Sequence, residues 1–170
     1  MDPSVVTQLI ILLFLLMLSA FFSSAETALT TVNQIRIRNL AEDGNKRAKK
    51  VVKVTGNSGK MLSAILIGNN IVNVAAASLT TSIAYTFGGE VVAIASGIIT
   101  ILILIFGEIT PKTLDTIHAE KISLLYAPVI DLFMKLMTPV IFIINGLSTL
   151  ILMILHKLIC FYFCFSTNIF

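Results

Sequence analysis

The residues with the clearest chemical potential are oxygen-bearing side chains placed inside apolar segments. The stretch LIFGEITPK follows an uncharged run over residues 91–107 and puts the carboxylate of Glu108 directly after it. Pro111 lacks a backbone N–H, so the carbonyl of Gly107, four residues earlier, loses its usual helical partner. Interrupted helices whose freed carbonyls coordinate ions recur in transporters. The stretch therefore predicts a cation site, and the alternative is that Glu108 simply pairs with Lys112 one turn later.

Two other apolar segments carry neutral oxygen donors. In the motif GNNIVN, Asn69 and Asn73 lie one helical turn apart and share a face, whereas Asn70 is rotated from Asn69 by about 100°. In the first apolar segment and its continuation, five polar residues at spacings of 4, 3, 1 and 3 form one face of a helix: Ser19, Ser23, Glu26, Thr27 and Thr30. Polar groups inside a membrane need a partner or a function. The alternative is that the hydroxyls only join helices through hydrogen bonds.

Together, these donors define the chemistry of the predicted site. Hydroxyl, amide, carboxylate and backbone oxygens are hard ligands, which Mg²⁺ and Ca²⁺ prefer, whereas copper and zinc sites use Cys or His. The two histidines, His118 and His156, lie outside the predicted spans. A single carboxylate among neutral oxygens suits an ion that must also be released. The candidate ligands are Ser23, Asn69, Asn73, Gly107 and Glu108.

The composition indicates that these residues belong to a membrane protein. The chain has 170 residues, of which 56% are hydrophobic and 12% are charged, whereas soluble domains contain roughly 25% charged residues. Residues 5–22, 61–89 and 91–107 are uncharged and predict three membrane-spanning helices. A tight turn over residues 86–90, TFGGE, is predicted to join the second span to the third.

Charge placement predicts the orientation of the spans. Eight of the twelve Lys and Arg residues lie between Arg36 and Lys60, so this segment is predicted to be cytoplasmic. Within it, apolar residues alternate with charges and Gly44 breaks the pattern, which predicts two short interfacial helices. The N-terminus is then outside, the C-terminus is cytoplasmic, and Glu108 lies toward the cytoplasmic side of a multi-pass protein of the cell membrane.

The fourth apolar stretch, residues 122–158, admits two interpretations. Residues 136–155 are long enough for another span, while residues 119–134 predict an amphipathic helix that keeps its charged side chains in water: Glu120, Lys121 and Asp131, with Lys135 just beyond. Two prolines favour kinked helices that wrap the bundle at the interface. The predicted fold is an all-α membrane protein with three transmembrane helices, cytoplasmic interfacial helices and a juxtamembrane helical belt.

Motifs of catalysis are lacking in the sequence. The segment GNSGKM is similar to a phosphate-binding loop, but Val54 stands where the first glycine is required and Met61 replaces Ser or Thr. Cys160 and Cys164 have no histidine neighbours and predict no zinc site or disulfide framework. The chain is therefore predicted not to be an enzyme and not to bind nucleic acid.

Four stretches in order carry a resemblance to a known family: SAFFSSAETALTTVN, LAEDGNKRAKKV, LIGNNIVNVAAA and LILIFGEITPKTL. Together they closely resemble the membrane domain of the CorC/cyclin M family of magnesium transporters, with a domain expected over residues 1–157. The resemblance implies a homodimer in the lipid bilayer that exports Mg²⁺ from the cytoplasm, with Na⁺ as a candidate coupling ion. Family site residues map onto the five candidate ligands, with Ser24 and Asn70 as further candidates.

The C-terminal segment departs from the family pattern. Members usually continue into paired CBS domains, whereas residues 158–170, LICFYFCFSTNIF, are expected to form an atypical tail. Regulation by ATP is therefore not expected. Two other functions stay open at this point: a non-transporting membrane regulator or anchor of a partner transporter, and an inactive truncated remnant.

Overall fold

The computed structural model describes residues 3–86, 88 and 92–167, and it confirms the all-α membrane class. Three helical stretches are long and apolar enough to cross a membrane: Val5–Thr31, Ser58–Thr86 and Val92–Leu136. The helices in chain order are α1 Pro3–Thr31, α2 Gln34–Glu42, α3 Lys46–Thr55, α4 Ser58–Thr86, α5 Val92–Leu102, a π-helical segment Ile103–Ile109, α6 Thr110–Leu136 and α7 Thr138–Thr167. The predicted turn over residues 86–90 falls largely outside the described residues.

The chain divides into two compact units, residues 1–134 and residues 135–170. The first unit contains the three long apolar stretches almost entirely, together with the two short helices between α1 and α4. The second unit consists essentially of α7, a helix of 30 residues whose Thr138–Met153 segment is apolar. All contacts that position the candidate site lie within the first unit.

Helices α1 and α4 pack against each other in opposite directions. Leu12 and Ala76 belong to one buried cluster, whereas Phe22, farther along α1, meets Gly68, which lies earlier in α4. The third stretch runs parallel to α1, since Ile99 joins the Leu12 cluster and later residues of this stretch meet later residues of α1. This alternation agrees with three consecutive spans of a membrane.

The third stretch does not end at Glu108 and Pro111. The predicted interruption is instead a π-helical segment, in which the N–H of Thr110 donates to the carbonyl of Ile105, five residues earlier. Pro111 then occupies the first turn of α6, where its missing N–H is tolerated. The actual break lies at His118, with φ −116° and ψ 24°, and it separates the spanning part from the predicted amphipathic helix that starts at residue 119.

The two predicted interfacial helices are present as α2 and α3. Each begins at an asparagine whose side chain accepts hydrogen bonds from the first turn, Asn33 for α2 and Asn45 for α3. Between them Gly44 adopts φ +93°, a left-handed conformation that glycine reaches without steric cost. The Thr55 hydroxyl donates to Gln34 Oε1 at 3.1 Å and ties the two helices together.

The C-terminal half of α6 is bound to these helices by ion pairs, which corrects one prediction. Asp131 was expected to face water, but its side chain is only 8% exposed. Lys53 Nζ lies 2.9 Å from Asp131 Oδ1 and Lys50 Nζ lies 3.5 Å from Oδ2. Glu120 pairs with Arg36 at 2.8 Å. The amphipathic helix therefore uses its acidic residues to bind the basic segment, which the periodicity of α6 alone does not reveal.

Gly68 permits the close approach of three helices. A Cβ at Gly68 would lie 2.6 Å from Phe22 Cζ and 3.0 Å from Phe133 Cε1, and the two rings themselves pack at a centroid distance of 5.1 Å. Phe22 is 5% exposed and Phe133 is partly buried, so the clash would require both rings to shift within the packing. We predict that Gly68→Ala lowers the free energy of unfolding by about 1–3 kcal/mol, measured as a fall in unfolding temperature in detergent micelles.

Gly59 provides the matched control for this substitution. It lies in the same helix, α4, and a Cβ there would meet no atom within 4 Å. Gly59→Ala is therefore expected to leave the unfolding temperature unchanged or to raise it, because alanine favours the helix. Equal unfolding temperatures for the two variants would contradict the packing at Gly68.

Candidate cation site in the membrane-spanning helices

Ser19 of α1 lies at the centre of a group of side-chain oxygens. Its Oγ is 2.8 Å from Asn73 Oδ1 and 3.2 Å from Asn69 Oδ1, and the residue is 1% exposed. The hydroxyl carries one proton and can donate to only one of these oxygens at a time. Three oxygen atoms from two helices therefore converge on a point that neighbouring helices shield from solvent.

Glu108 joins this group from the third stretch. The Ser23 hydroxyl donates to the backbone carbonyl of Glu108 at 3.4 Å, and Asn73 Nδ2 donates to the Glu108 carboxylate at 3.4 Å. Both contacts are near the long end of the hydrogen-bond range. The carboxylate of Glu108 therefore contacts α4, and the backbone carbonyl of Glu108 contacts α1.

The π-helical segment explains how the third stretch can approach α1 so closely. A Cβ at Gly107 would lie 3.0 Å from Ser19 Oγ, so only glycine fits there without displacing the hydroxyl. Pro111 supplies no N–H, so the turn before it contains a carbonyl without its usual backbone donor. Single π-helical turns within α-helices are frequent at functional sites. The segment brings both a carboxylate and backbone oxygens to the face of α1 that carries Ser19 and Ser23.

The alternative interpretation paired Glu108 with Lys112, but in the structure Lys112 pairs with another residue. Lys112 Nζ lies 3.3 Å from Glu26 Oε2 of α1, and both side chains are more than one third exposed. Glu108 is only half-buried but contacts Asn73 instead. The lysine therefore marks the level where the helices reach water, and the carboxylate of Glu108 stays with the oxygen group.

The structure separates the predicted site residues into two sets. It brings together Ser23, Asn69, Asn73, Gly107 and Glu108. Asn70 is exposed on another face of α4, and Ser24, although buried, lines a different cavity. Sequence reasoning left Ser19 out of the ligand set. Its position four residues before Ser23, on the same polar face of α1, was the signal that could have included it.

The types of oxygen in this group are those that small hard cations prefer. The separations of 2.8 and 3.2 Å around Ser19 are those of ordinary hydrogen bonds between a hydroxyl and an amide oxygen. Among the described residues, no group of three or more His, Cys, Asp or Glu side chains could hold a metal ion. A cation here would be bound by one carboxylate and several neutral oxygens.

Comparison with known proteins places the chain in a family. The cyclin M transmembrane N-terminal domain matches residues 10–158. The chain belongs to this family. This confirms the resemblance drawn from the sequence motifs and makes the chain a multi-pass membrane protein of the cyclin M type.

Curated relatives extend across bacteria and plants. A UPF0053 protein of Haemophilus influenzae is 42% identical over 140 residues, covering 82% of this chain and 33% of the relative. The UPF0053 inner membrane protein YfjD of Escherichia coli is 36% identical over 140 residues, and the match covers 79% of this chain and 32% of YfjD. A chloroplastic DUF21 domain-containing protein of Arabidopsis thaliana is 37% identical over 151 residues, and the match covers 87% of this chain and 23% of the relative. The chain spans about a third of the length of the bacterial relatives.

Asn73 belongs to the oxygen group, whereas Asn70 lies on an exposed face of the same helix, so substituting each of them in turn tests the site. We predict that Asn73→Ala weakens Mg²⁺ binding by at least about tenfold, because it removes an oxygen from the converging group; even residues that only support metal ligands typically cost 10–100-fold. Binding is measured as the Mg²⁺ concentration that half-saturates the rise in unfolding temperature. Asn70→Ala, on the exposed face, should bind as the wild type does. Equal losses in both variants would contradict the assignment.

Proposed function

We propose that this cyclin M domain is the membrane part of a magnesium transporter that works as a homodimer and carries Mg²⁺ out of the cytoplasm. The observation that supports the proposal is the convergence of hydroxyl, amide and carboxylate oxygens beside a π-helical segment within the three spans. Polar groups at such positions are expensive inside a bilayer and are retained where they serve a function. Family membership adds weight to transport as the activity.

Each site residue has a defined task in this proposal. Ser19 and Ser23 rotate their hydroxyl protons away and present oxygen lone pairs to the ion, while Asn69 and Asn73 offer their carbonyl oxygens from α4. Glu108 supplies the single negative charge, which neutralises half the charge of Mg²⁺. The Gly107 carbonyl, in the turn disturbed by Pro111, is the proposed backbone ligand.

The ligand set also predicts how the ion is handled. Mg²⁺ loses its hydration water reluctantly, so the ion is expected to keep part of its water shell and to be transported slowly. One carboxylate is a weak enough anchor to allow release on the opposite side. A rocking motion between the two halves of the dimer would expose the site alternately, and Na⁺ is the proposed coupling ion.

A regulatory role without transport would use the same polar groups differently. The Ser19–Asn73 and Ser23–Glu108 contacts would then only hold the helices together. Removal of either contact would change stability but leave no ion-dependent signal to lose. The observed pairing of Lys112 with Glu26, rather than with Glu108, favours the transport interpretation because it leaves the Glu108 carboxylate without a cationic partner of its own in the described first unit.

Flux through the purified chain tests the proposal. We predict that wild-type protein in proteoliposomes moves Mg²⁺, followed with a fluorescent indicator inside the vesicles, and that Glu108→Gln reduces the flux to that of protein-free vesicles. The amide keeps the size of the side chain but removes the negative charge. Equal flux in the variant and the wild type would refute the assignment of Glu108.

Glu42→Gln is the matched control. Glu42 is an exposed carboxylate at the end of α2, outside the three spans, and the same charge is lost there. This variant should transport as the wild type does, which excludes a general effect of net charge on the ion concentration at the membrane. Absence of flux from wild-type protein that still forms folded dimers would refute transport by this domain alone.

A further inference from the structure

The amphipathic half of α6, residues 119–134, forms an arm that packs against the helices of the oxygen group. The arm begins after the bend at His118, where φ is −116° and ψ is 24°. One of its faces is 0–7% exposed and recurs at helical spacing: Ser123, Ala127, Ile130 and Met134. This face therefore belongs to the core of the first unit, although none of the candidate ligands lies on the arm.

Phe133, near the end of the arm, contacts α1 and α4 at the same time. Its ring packs on Phe22 at 5.1 Å between ring centroids, and a Cβ at Gly68 would lie 3.0 Å from Phe133 Cε1. The two rings therefore meet over the bare backbone of Gly68. A second aromatic contact, between Tyr126 of the arm and Phe21 of α1, has a centroid distance of 4.7 Å.

Both contact points of Phe133 adjoin residues of the oxygen group. Phe22 directly precedes Ser23, whose hydroxyl donates to the third stretch, and Gly68 directly precedes Asn69, whose side-chain oxygen contacts α1. Successive residues of a helix are rotated by about 100°, so the neighbours of Phe133 face away from the oxygens. Phe133 thus packs behind the oxygen group, against the backbone segments that carry two of its members.

Two ion pairs fix the arm to α3 two residues before Phe133. Asp131 Oδ1 lies 2.9 Å from Lys53 Nζ, and Asp131 Oδ2 lies 3.5 Å from Lys50 Nζ. Asp131 is 6% exposed, and a charge buried to this extent is strongly destabilising without its partner. The two lysine side chains are 60% and 47% exposed, so they can hydrate when the pair is absent. The burial of Asp131 therefore depends on the arm lying against α3.

We propose that Asp131 is a positioning residue for the oxygen group. Its ion pairs with α3 hold the Phe133 ring in place, and that ring sets the separation of α1 and α4 at Ser23 and Asn69. Loss of the ion pairs frees the arm to turn at His118, which loosens both backbone segments and weakens binding of the ion. The inference rests on the proposed cation site and adds a control on it from a helix that holds no ligand.

Hydrogen exchange of the backbone amides tests the positioning without any ion. Asp131→Asn keeps the size of the side chain and removes its charge. In the full chain in detergent micelles without Mg²⁺, exchange followed by mass spectrometry should accelerate several-fold over residues 19–25 and 66–72, because these segments open locally. Residues 5–12 and 76–84, in the other halves of α1 and α4, should exchange as in the wild type. Unchanged exchange, or an equal acceleration in all four segments, would overturn the proposal.

Glu120→Gln is the matched control. Glu120 also joins the arm to the basic segment, through Arg36 at 2.8 Å, and the same charge is lost. It lies 13 residues before Phe133, about 20 Å along the helix and close to the bend. Its loss should leave the exchange of all four segments as in the wild type. Equal acceleration in Glu120→Gln and Asp131→Asn would contradict the assignment of Asp131.

Magnesium titration separates positioning from stability. The Mg²⁺ concentration that half-saturates the rise in unfolding temperature should increase several-fold in Asp131→Asn and stay unchanged in Glu120→Gln. A lower unfolding temperature in Asp131→Asn with an unchanged half-saturation concentration would show a structural role alone and would overturn the proposal.

Phe133→Leu keeps the test decisive if Asp131→Asn does not fold. It leaves the ion pairs in place and removes the aromatic contact with Phe22, so both measurements should change in the same direction as for Asp131→Asn. Unchanged exchange and half-saturation would contradict the proposal. If wild-type protein shows no rise in unfolding temperature with Mg²⁺, the magnesium proposal fails, and the exchange data, recorded without the ion, decide the role of Asp131 separately.

Discussion

The contact between Ser19 and its neighbours is the interaction on which the rest of the site depends. Inside a bilayer, polar groups must find partners within the protein, because lipid offers none. The Ser19 hydroxyl donates its one proton to either of two asparagine oxygens of α4, and the backbone at Gly107 also lies close to it. One small polar residue thus contacts both of the other spans where the oxygens converge.

The π-helical segment follows from the same constraint. The third stretch must bring Glu108 to α1 and still continue as a helix into α6, and the wider turn allows both. Pro111 would break an ordinary helix interior, but it is accommodated in the first turn of α6 after the segment. The chain then bends at His118 and returns over α3, where Asp131 binds two lysines. The site and the interfacial helices are therefore connected through one continuous polypeptide path.

Polar residues of α1 lie on two adjacent sides of the helix. Its Ser19 and Ser23 face contacts α4 and the π-helical segment, and its Ser24 face contacts a cavity that Asp115 also lines. A change in the packing of α1 would alter both sides together.

The sequence by itself determined the elements and the type of chemistry. Hydropathy and charge placed the three spans and the basic segment, and Gly44 correctly divided that segment into two helices, because these signals are local. The oxygen donors Asn73 and Glu108 were recognisable because polar residues stand out in apolar segments. The start of an amphipathic helix at residue 119 was also predicted, whereas the asparagine caps of α2 and α3 and the break at His118 came from the structure.

Only the tertiary structure decided which helix faces meet. It added Ser19 to the site, moved Ser24 to a second cavity and turned Asn70 to the surface, although all three belong to the same polar motifs. It also paired Lys112 with Glu26 and buried Asp131, because a partner on another helix changes the balance between burial and hydration of a charge. Helical periodicity gives the faces of each helix, but the rotation of one helix against another depends on packing over the whole interface.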